Sequence, residues 1–136
     1  MAQGVRIIEA TNEISKVIQG EGFTVKESKF DFFFGRVTSN PHNTRRSLDN
    51  LEGLRKLGID ETASGRERLL TIFQEGLNAH QIDEIPNNYG VTIVRKVELS
   101  GGEAVGAIEI SYFYRDGNLN LQPEITTIIT KIYEQE

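Results

Sequence analysis

The residues with the most obvious capacity for chemistry are few. Only two histidines occur in 136 residues. His42 lies in Ser39-Asn40-Pro41-His42-Asn43-Thr44-Arg45-Arg46-Ser47, at what reads as a helix entrance, with two arginines after it. Free backbone N–H groups at a helix N-terminus attract phosphate, and an imidazole there can move a proton near neutral pH. The plainer alternative is a turn histidine that hydrogen-bonds only its own loop. His80 falls at the expected C-terminal end of a second helix. There an imidazole meets the helix dipole favourably, so a capping role is expected.

Several chemistries find no support. The chain has no cysteine, which removes disulfides, zinc knuckles and thiol nucleophiles. Two distant histidines without a clustered carboxylate do not make a zinc site, so neither a metal nor a cofactor is expected. The glycines form neither a phosphate-loop nor a dinucleotide-binding pattern. Ser39 and Ser47 stand near His42, but no nucleophile elbow surrounds either. Asp83 and Glu84 are adjacent rather than facing, unlike a glycosidase pair.

A second cluster emerges from strand periodicity. In Val91–Leu99, the residues Val91, Ile93, Val97 and Leu99 share one face with Arg95. In the next run Ile108 and Ile110 lead into Tyr112 and Tyr114; in the last, Leu119, Leu121, Ile125 and Ile129 share a face interrupted by Thr127. An arginine on an apolar face is costly unless it meets an anion or solvent. Arg95, Tyr112 and Thr127 are therefore expected to line a polar notch that takes an anionic ligand. Alternatively Arg95 pairs with a buried glutamate or lies at the open edge of the core.

The net charge of −5 conceals an asymmetry. Residues 1–68 carry 11 Lys/Arg against 10 Asp/Glu, and residues 69–136 carry 4 against 10. Lys26, Lys29, Arg36, Arg45 and Arg46 crowd one stretch with only Glu27 and Asp31 opposing them. Such a chain is no bulk polyanion binder, yet it could hold a few phosphates locally. A solvated mixed surface is the bland counterpart.

The elements that must position these residues fit one domain, 1–136, a length typical of a single core. MAQGVRIIEA lacks the charged start and apolar run of a signal peptide, and no stretch approaches the ~18 apolar residues of a membrane span, so no membrane is expected and a cytoplasmic location is. Val5–Ala10 reads as a strand, Asn12–Gln19 as a brief helix capped by Thr11, and Phe23–Val25 and Lys29–Val37 as extended. Asn43 or Thr44 should cap a helix running to Leu57, with Leu48, Leu51 and Leu54 buried and Gly58 at the left-handed C′ position. Ser64 and Glu67 fit a capping box for a second helix reaching about His80. After a loop over 81–90 come three strand-like runs, Val91–Leu99, Ala104–Arg115 and Leu119–Tyr133, joined at Ser100-Gly101-Gly102 and Asp116-Gly117-Asn118. The expected class is α+β, with N-terminal helices packed on a C-terminal three- or four-stranded antiparallel meander.

The order Phe34-Gly35-Arg36-Val37-Thr38, Ser39-Asn40-Pro41-His42-Asn43, Arg45-Arg46-Ser47, Leu57-Gly58-Ile59 and Gly65-Arg66, closing in Pro123–Ile129, resembles the C-terminal domains of bacterial polymorphic and contact-dependent toxins. These belong to the broad superfamily that joins barnase, EndoU, colicin nucleases and RelE. The resemblance, over residues 30–133, implies a ribonuclease-like fold and RNA cleavage without metal, the attacker being the RNA 2′-hydroxyl. It implies His42 as general base or acid, Arg46 or Arg95 on the phosphate, and Thr127, with Tyr112, holding it; Arg36, Arg45 and Ser47 would bind substrate. It also implies RNA as partner, a cognate inhibitor or immunity protein, and action in the cytoplasm of a target cell. Two rivals stand beside this reading. One is a non-enzymatic interaction protein, for instance a homodimer through a sheet edge; the other is a binder of a small anion at Arg95.

Overall fold

A computed structural model of the chain describes residues 6–9 and 16–133. The elements in order are β1 (Arg6–Glu9), β2 (Lys16–Gln19), β3 (Thr24–Lys26), α1 (Lys29–Phe33), α2 (Pro41–Lys56), α3 (Ala63–Gly76), β4 (His80–Asn87), β5 (Gly90–Leu99), β6 (Gly106–Arg115) and β7 (Glu124–Ile132). The class is α+β, but the sheet is larger than the three or four strands expected. The C-terminal meander β4-β5-β6-β7 has four strands, and β3 joins β7 in parallel to give the order β1-β2-β3-β7-β6-β5-β4.

All three helices lie on one face. Ile93, Leu99, Ile108, Ile110, Tyr112, Tyr114, Ile125 and Ile128 are buried on that side with Leu54 of α2 and Leu69, Ile72 and Phe73 of α3. Phe73 is the hub, its ring lying edge-on to Phe23 and to Phe33, each at 5.9 Å between centroids. Its carbonyl, one of those that the last turn of a helix leaves without an intrahelical partner, accepts a 2.7 Å hydrogen bond from the buried Tyr112 hydroxyl. Gly76, one turn on, admits the Tyr112 hydroxyl where any Cβ would collide with it.

Several expected elements change identity. Lys29–Val37 is not a strand: Phe30, Phe33 and Phe34 fall at i, i+3 and i+4, so one helical turn buries all three, whereas a strand would turn Phe33 away from the others. The described part of the helix expected over 12–19 is strand β2. Residues 11–15, with the Thr11 cap, lie outside the described residues. α2 begins earlier than expected, capped by Asn40, whose Oδ1 accepts from Asn43 N at 2.8 Å, with Pro41 in the first turn. Leu54 is buried as expected, but Leu48 is 48% exposed. Gly58 takes φ +90° at the end of α2, and Gly117 takes φ +67° in the turn after β6, both as expected. α3 ends before His80, which opens β4 instead of capping the helix. That strand replaces the loop expected over 81–90. Nothing apolar marked it, because all eight of its residues are exposed. No described helix is long and apolar enough to cross a membrane.

The cap of α3 is Thr62, not Ser64. Thr62 Oγ1 accepts from Gly65 N at 3.4 Å and is itself held by Asp60, while Ser64 is exposed inside the helix. Thr62→Ala should therefore cost about 1 kcal/mol, and Ser64→Ala almost nothing; thermal melts of the two variants side by side check this. Burial pushes the Tyr112 hydroxyl well above its ordinary value of 10.0. An acid whose folded pKa is raised stabilises the fold below its unfolded pKa and loses that stabilisation as pH climbs past it. Denaturant melts should thus show wild-type stability falling more steeply above about pH 10 than Tyr112→Phe. At pH 7 that variant should be roughly 1–2 kcal/mol less stable, having left the Phe73 carbonyl without a partner.

Candidate functional site on the open sheet face

The face opposite the helices is covered by no described element. Register fixes what stands on it. One row across the sheet reads Ile85, Thr92, Phe113, Glu124; the next reads Asp83, Val94, Ser111, Thr127; a third reads His80, Lys96, Glu109, Ile129. Glu124 and Thr127 are three apart and should face opposite ways in a regular strand. The register shift opposite Ser111 and Tyr112 inserts one extra residue, so that both reach the open face. The same shift puts Ile128 in the core and leaves Ile129 45% exposed.

At the β3–β7 seam this face sinks into a hollow of about 290 Å³, lined by Thr24, Phe113, Arg115, Leu121, Gln122 and Glu124. Lys29, at the start of α1, reaches the same seam. Burial pulls its amine below the ordinary lysine value of 10.5; the Glu124 carboxylate opposes that, while Lys26 and Arg46 add to it. Lys29 thus stands within electrostatic reach of Glu124 on β7, Lys26 on β3 and Arg46 on α2. Arg46 lies over the Phe32 ring, 5.4 Å from its centroid. Among the described residues Lys26, Lys29, Arg46 and Arg115 make no ion pair within 4.0 Å; the pairs formed there are Arg36–Asp31, Arg45–Asp49, Arg55–Glu61 and Arg66–Glu27.

The residues singled out from sequence separate accordingly. Arg46 belongs to the seam, and His42 stands exposed one helical turn before it. Thr127 is on the open face. Arg95 and Tyr112 are not: they face the helices, so the three-residue notch with Thr127 does not form. Arg95 donates from one guanidinium nitrogen to Ala79 O at 2.8 Å, tying down the segment after α3, and its buried Nε has no partner. No glutamate pairs with it among the described residues. Arg36 and Arg45 are engaged by carboxylates at 2.9 and 3.4 Å. Ser47 is buried, donating to Phe32 O at 2.7 Å, and links α1 to α2.

Sequence reasoning named Lys29 only as one cation of the basic stretch and passed over Phe113, Arg115 and Glu124. The alternation Glu109, Ser111, Phe113, Arg115 against Ile108, Ile110, Tyr112, Tyr114 already marks a polar face on β6. Glu124 carried no such signal, because its facing depends on the bulge. Among the described residues no three histidines or carboxylates cluster as a metal site would need. The hollow thus offers a carboxylate, a cation and an aromatic ring in Glu124, Arg115 and Phe113, with the Lys29 amine in electrostatic reach of Glu124. Such a set can hold a phosphodiester, stack a base and move protons.

No family model matches the sequence, and no curated protein does. The fold, however, is similar to a chain of the contact-dependent growth inhibition toxin–immunity protein complex from Klebsiella pneumoniae 342. The two superpose with a TM-score of 0.65 over 79% of this chain and 98% of that one, at 21% sequence identity. The likeness is one of fold.

Proposed function

We propose that the chain is a toxin-like domain that cleaves RNA without metal, working at the β3–β7 seam. The observation that carries this reading is the hollow at the seam, where Glu124, Arg115 and Phe113 stand together and Glu124 acts electrostatically on Lys29. The likeness to a chain of a toxin–immunity complex adds support from the fold. In this reading Arg46, Arg115 and protonated Lys29 hold the scissile phosphate, and a base stacks on Phe113. Glu124 takes the proton of the 2′-hydroxyl as that oxygen attacks phosphorus. The bond to the 5′-oxygen breaks, and His42 supplies that oxygen with its proton. The products are a 2′,3′-cyclic phosphate and a free 5′-hydroxyl. Arg95 and Tyr112 take no part; they hold the sheet to α3.

A second reading rests on the acidic balance of −5. The matched chain comes from a complex of two proteins, and an acidic chain suits a protein-binding role better than a nuclease. The homodimer and the small-anion binder have no comparable support.

Purified protein, incubated with tRNA and mRNA in EDTA, should yield cyclic-phosphate ends and leave single-stranded DNA of the same sequence intact. Glu124→Gln and His42→Ala should each slow cleavage by roughly 10²–10⁴-fold, with Arg95→Met retaining wild-type rates. No cleavage by the wild type, or equal rates in all variants, would put the protein-binding reading in front. RNA affinity offers an independent check. Because Lys29 must be protonated to hold phosphate and its pKa is lowered, wild-type affinity should begin to fall at a pH below the ordinary 10.5. Lys29→Arg, which stays charged, should abolish that fall; an identical pH profile in both proteins removes Lys29 from the site.

A further inference from the structure

The edge strand β4 is unlike the rest of the sheet. All eight of its residues are exposed, and its only substantial packing is against β5. It carries two large apolar side chains in the open, Ile82 at 39% and Ile85 at 49%, and the turn that follows adds Tyr89 at 76%. An edge with unpaired backbone groups and exposed apolar side chains is a template for another strand. The same edge is guarded. Pro86 has no N–H to offer, and the register shift at Ile82 interrupts the ladder. What stays regular is the stretch around Asp83-Glu84-Ile85, where the Asp83 carboxylate accepts from Glu84 N–H at 2.8 Å, a local bond that an incoming strand would have to replace.

The charge on that stretch selects its occupant. Asp83 stands beside Val94 and Glu84 beside Ile93, so one carboxylate lies on each face of the sheet. Neither has a salt-bridge partner among the described residues. A second copy of β4, paired antiparallel about this centre, would set Asp83 and Glu84 against their own duplicates, and like charges directly opposite destabilise a ladder. A partner strand with lysine or arginine at the facing positions would neutralise both carboxylates and cover Ile85. We propose that β4 is a docking edge for a short extended segment of another protein, with two adjacent basic residues followed by apolar ones, which adds as an eighth strand beside Asp83–Ile85. The site is on the far side of the sheet from the seam and does not depend on RNA cleavage. It fits a protein partner by main-chain pairing for affinity and charge for selectivity.

The test uses the intact chain and three synthetic ten-residue peptides: one repeating Lys-Lys-Val-Val, one repeating Glu-Glu-Val-Val, and the lysine–valine peptide with N-methyl groups blocking its outward ladder. Hydrogen–deuterium exchange, resolved by residue, is the readout. The lysine–valine peptide should slow exchange of the free-edge amides of β4 about tenfold at ten times its dissociation constant, and the other two should leave it unchanged. In Asp83→Lys/Glu84→Lys, whose side chains are exposed and whose melt should match the wild type, the preference should switch to the glutamate–valine peptide. No slowing by the lysine–valine peptide, equal slowing by its N-methylated form, or protection elsewhere on the chain would each overturn the proposal. So would protection of β4 by protein concentration alone, which would make the occupant a second copy.

Discussion

Much of this molecule hangs on what meets at Phe73. Its ring takes the edges of Phe23 and Phe33, and its carbonyl takes the Tyr112 hydroxyl. One residue thus joins the entry to β3, helix α1, helix α3 and the middle strand of the meander. The hydroxyl does two things at once, for a buried phenol needs a partner and the last turn of a helix has carbonyls to spare. Because Gly76 lets the Tyr112 ring come so near the helix, α3 can lie close on the sheet. With α1 and α2 drawn to the same side, the other sheet face is left bare, and that bareness makes it available for function.

The parts of the fold legible in the sequence were those set by local chemistry. Gly58 and Gly117 sit at positive φ because no other residue does so as cheaply, and both were readable as turn residues. Leu69, Leu70 and Phe73 recur at helical spacing and are buried in α3. The α1 segment misled because four phenylalanines in five positions satisfy a period of two and a period of 3.6 equally well. Only the presence of Phe73, 40 residues away, decides for the helix. β4 was illegible for the opposite reason: a strand with no buried face leaves no hydrophobic pattern to read. The capping box at Ser64 was a true pattern in the wrong place, since Thr62, steadied by Asp60, provides the same bond two residues earlier.

The candidate site was half visible. Arg46 and His42 could be read from their motif, and Thr127 from its break in an apolar face. What could not be read was the direction of Glu124. A single extra residue in β7 reverses the side on which everything before it stands. It converts the apolar face expected of Leu121, Ile125 and Ile129 into a mixed one, and it turns Glu124 onto the open face. Arg95 was judged correctly as an oddity on an apolar face, but it does not share that face with Thr127. Its partner is the Ala79 carbonyl, a main-chain group that sequence periodicity does not reveal.

The RNA binding proposed for an acidic chain requires its cations and its carboxylates to stand apart, and the fold separates them. The cations Lys26, Lys29 and Arg46 gather at β3 and its neighbours, whereas Asp83 and Glu84 lie on β4. In the order β3-β7-β6-β5-β4 these strands are four spacings apart, roughly 19 Å at the usual inter-strand distance. That is about twice the screening length of ~8 Å at physiological ionic strength. A phosphate at the seam therefore feels the nearby cations and little of the distant carboxylates. The net charge of −5 then measures the sum over two surfaces that act separately. One carries the cations of the proposed RNA site, the other the carboxylates of the proposed docking edge. A sheet covered on one face only, and open along an acidic edge, can present both at once without either cancelling the other.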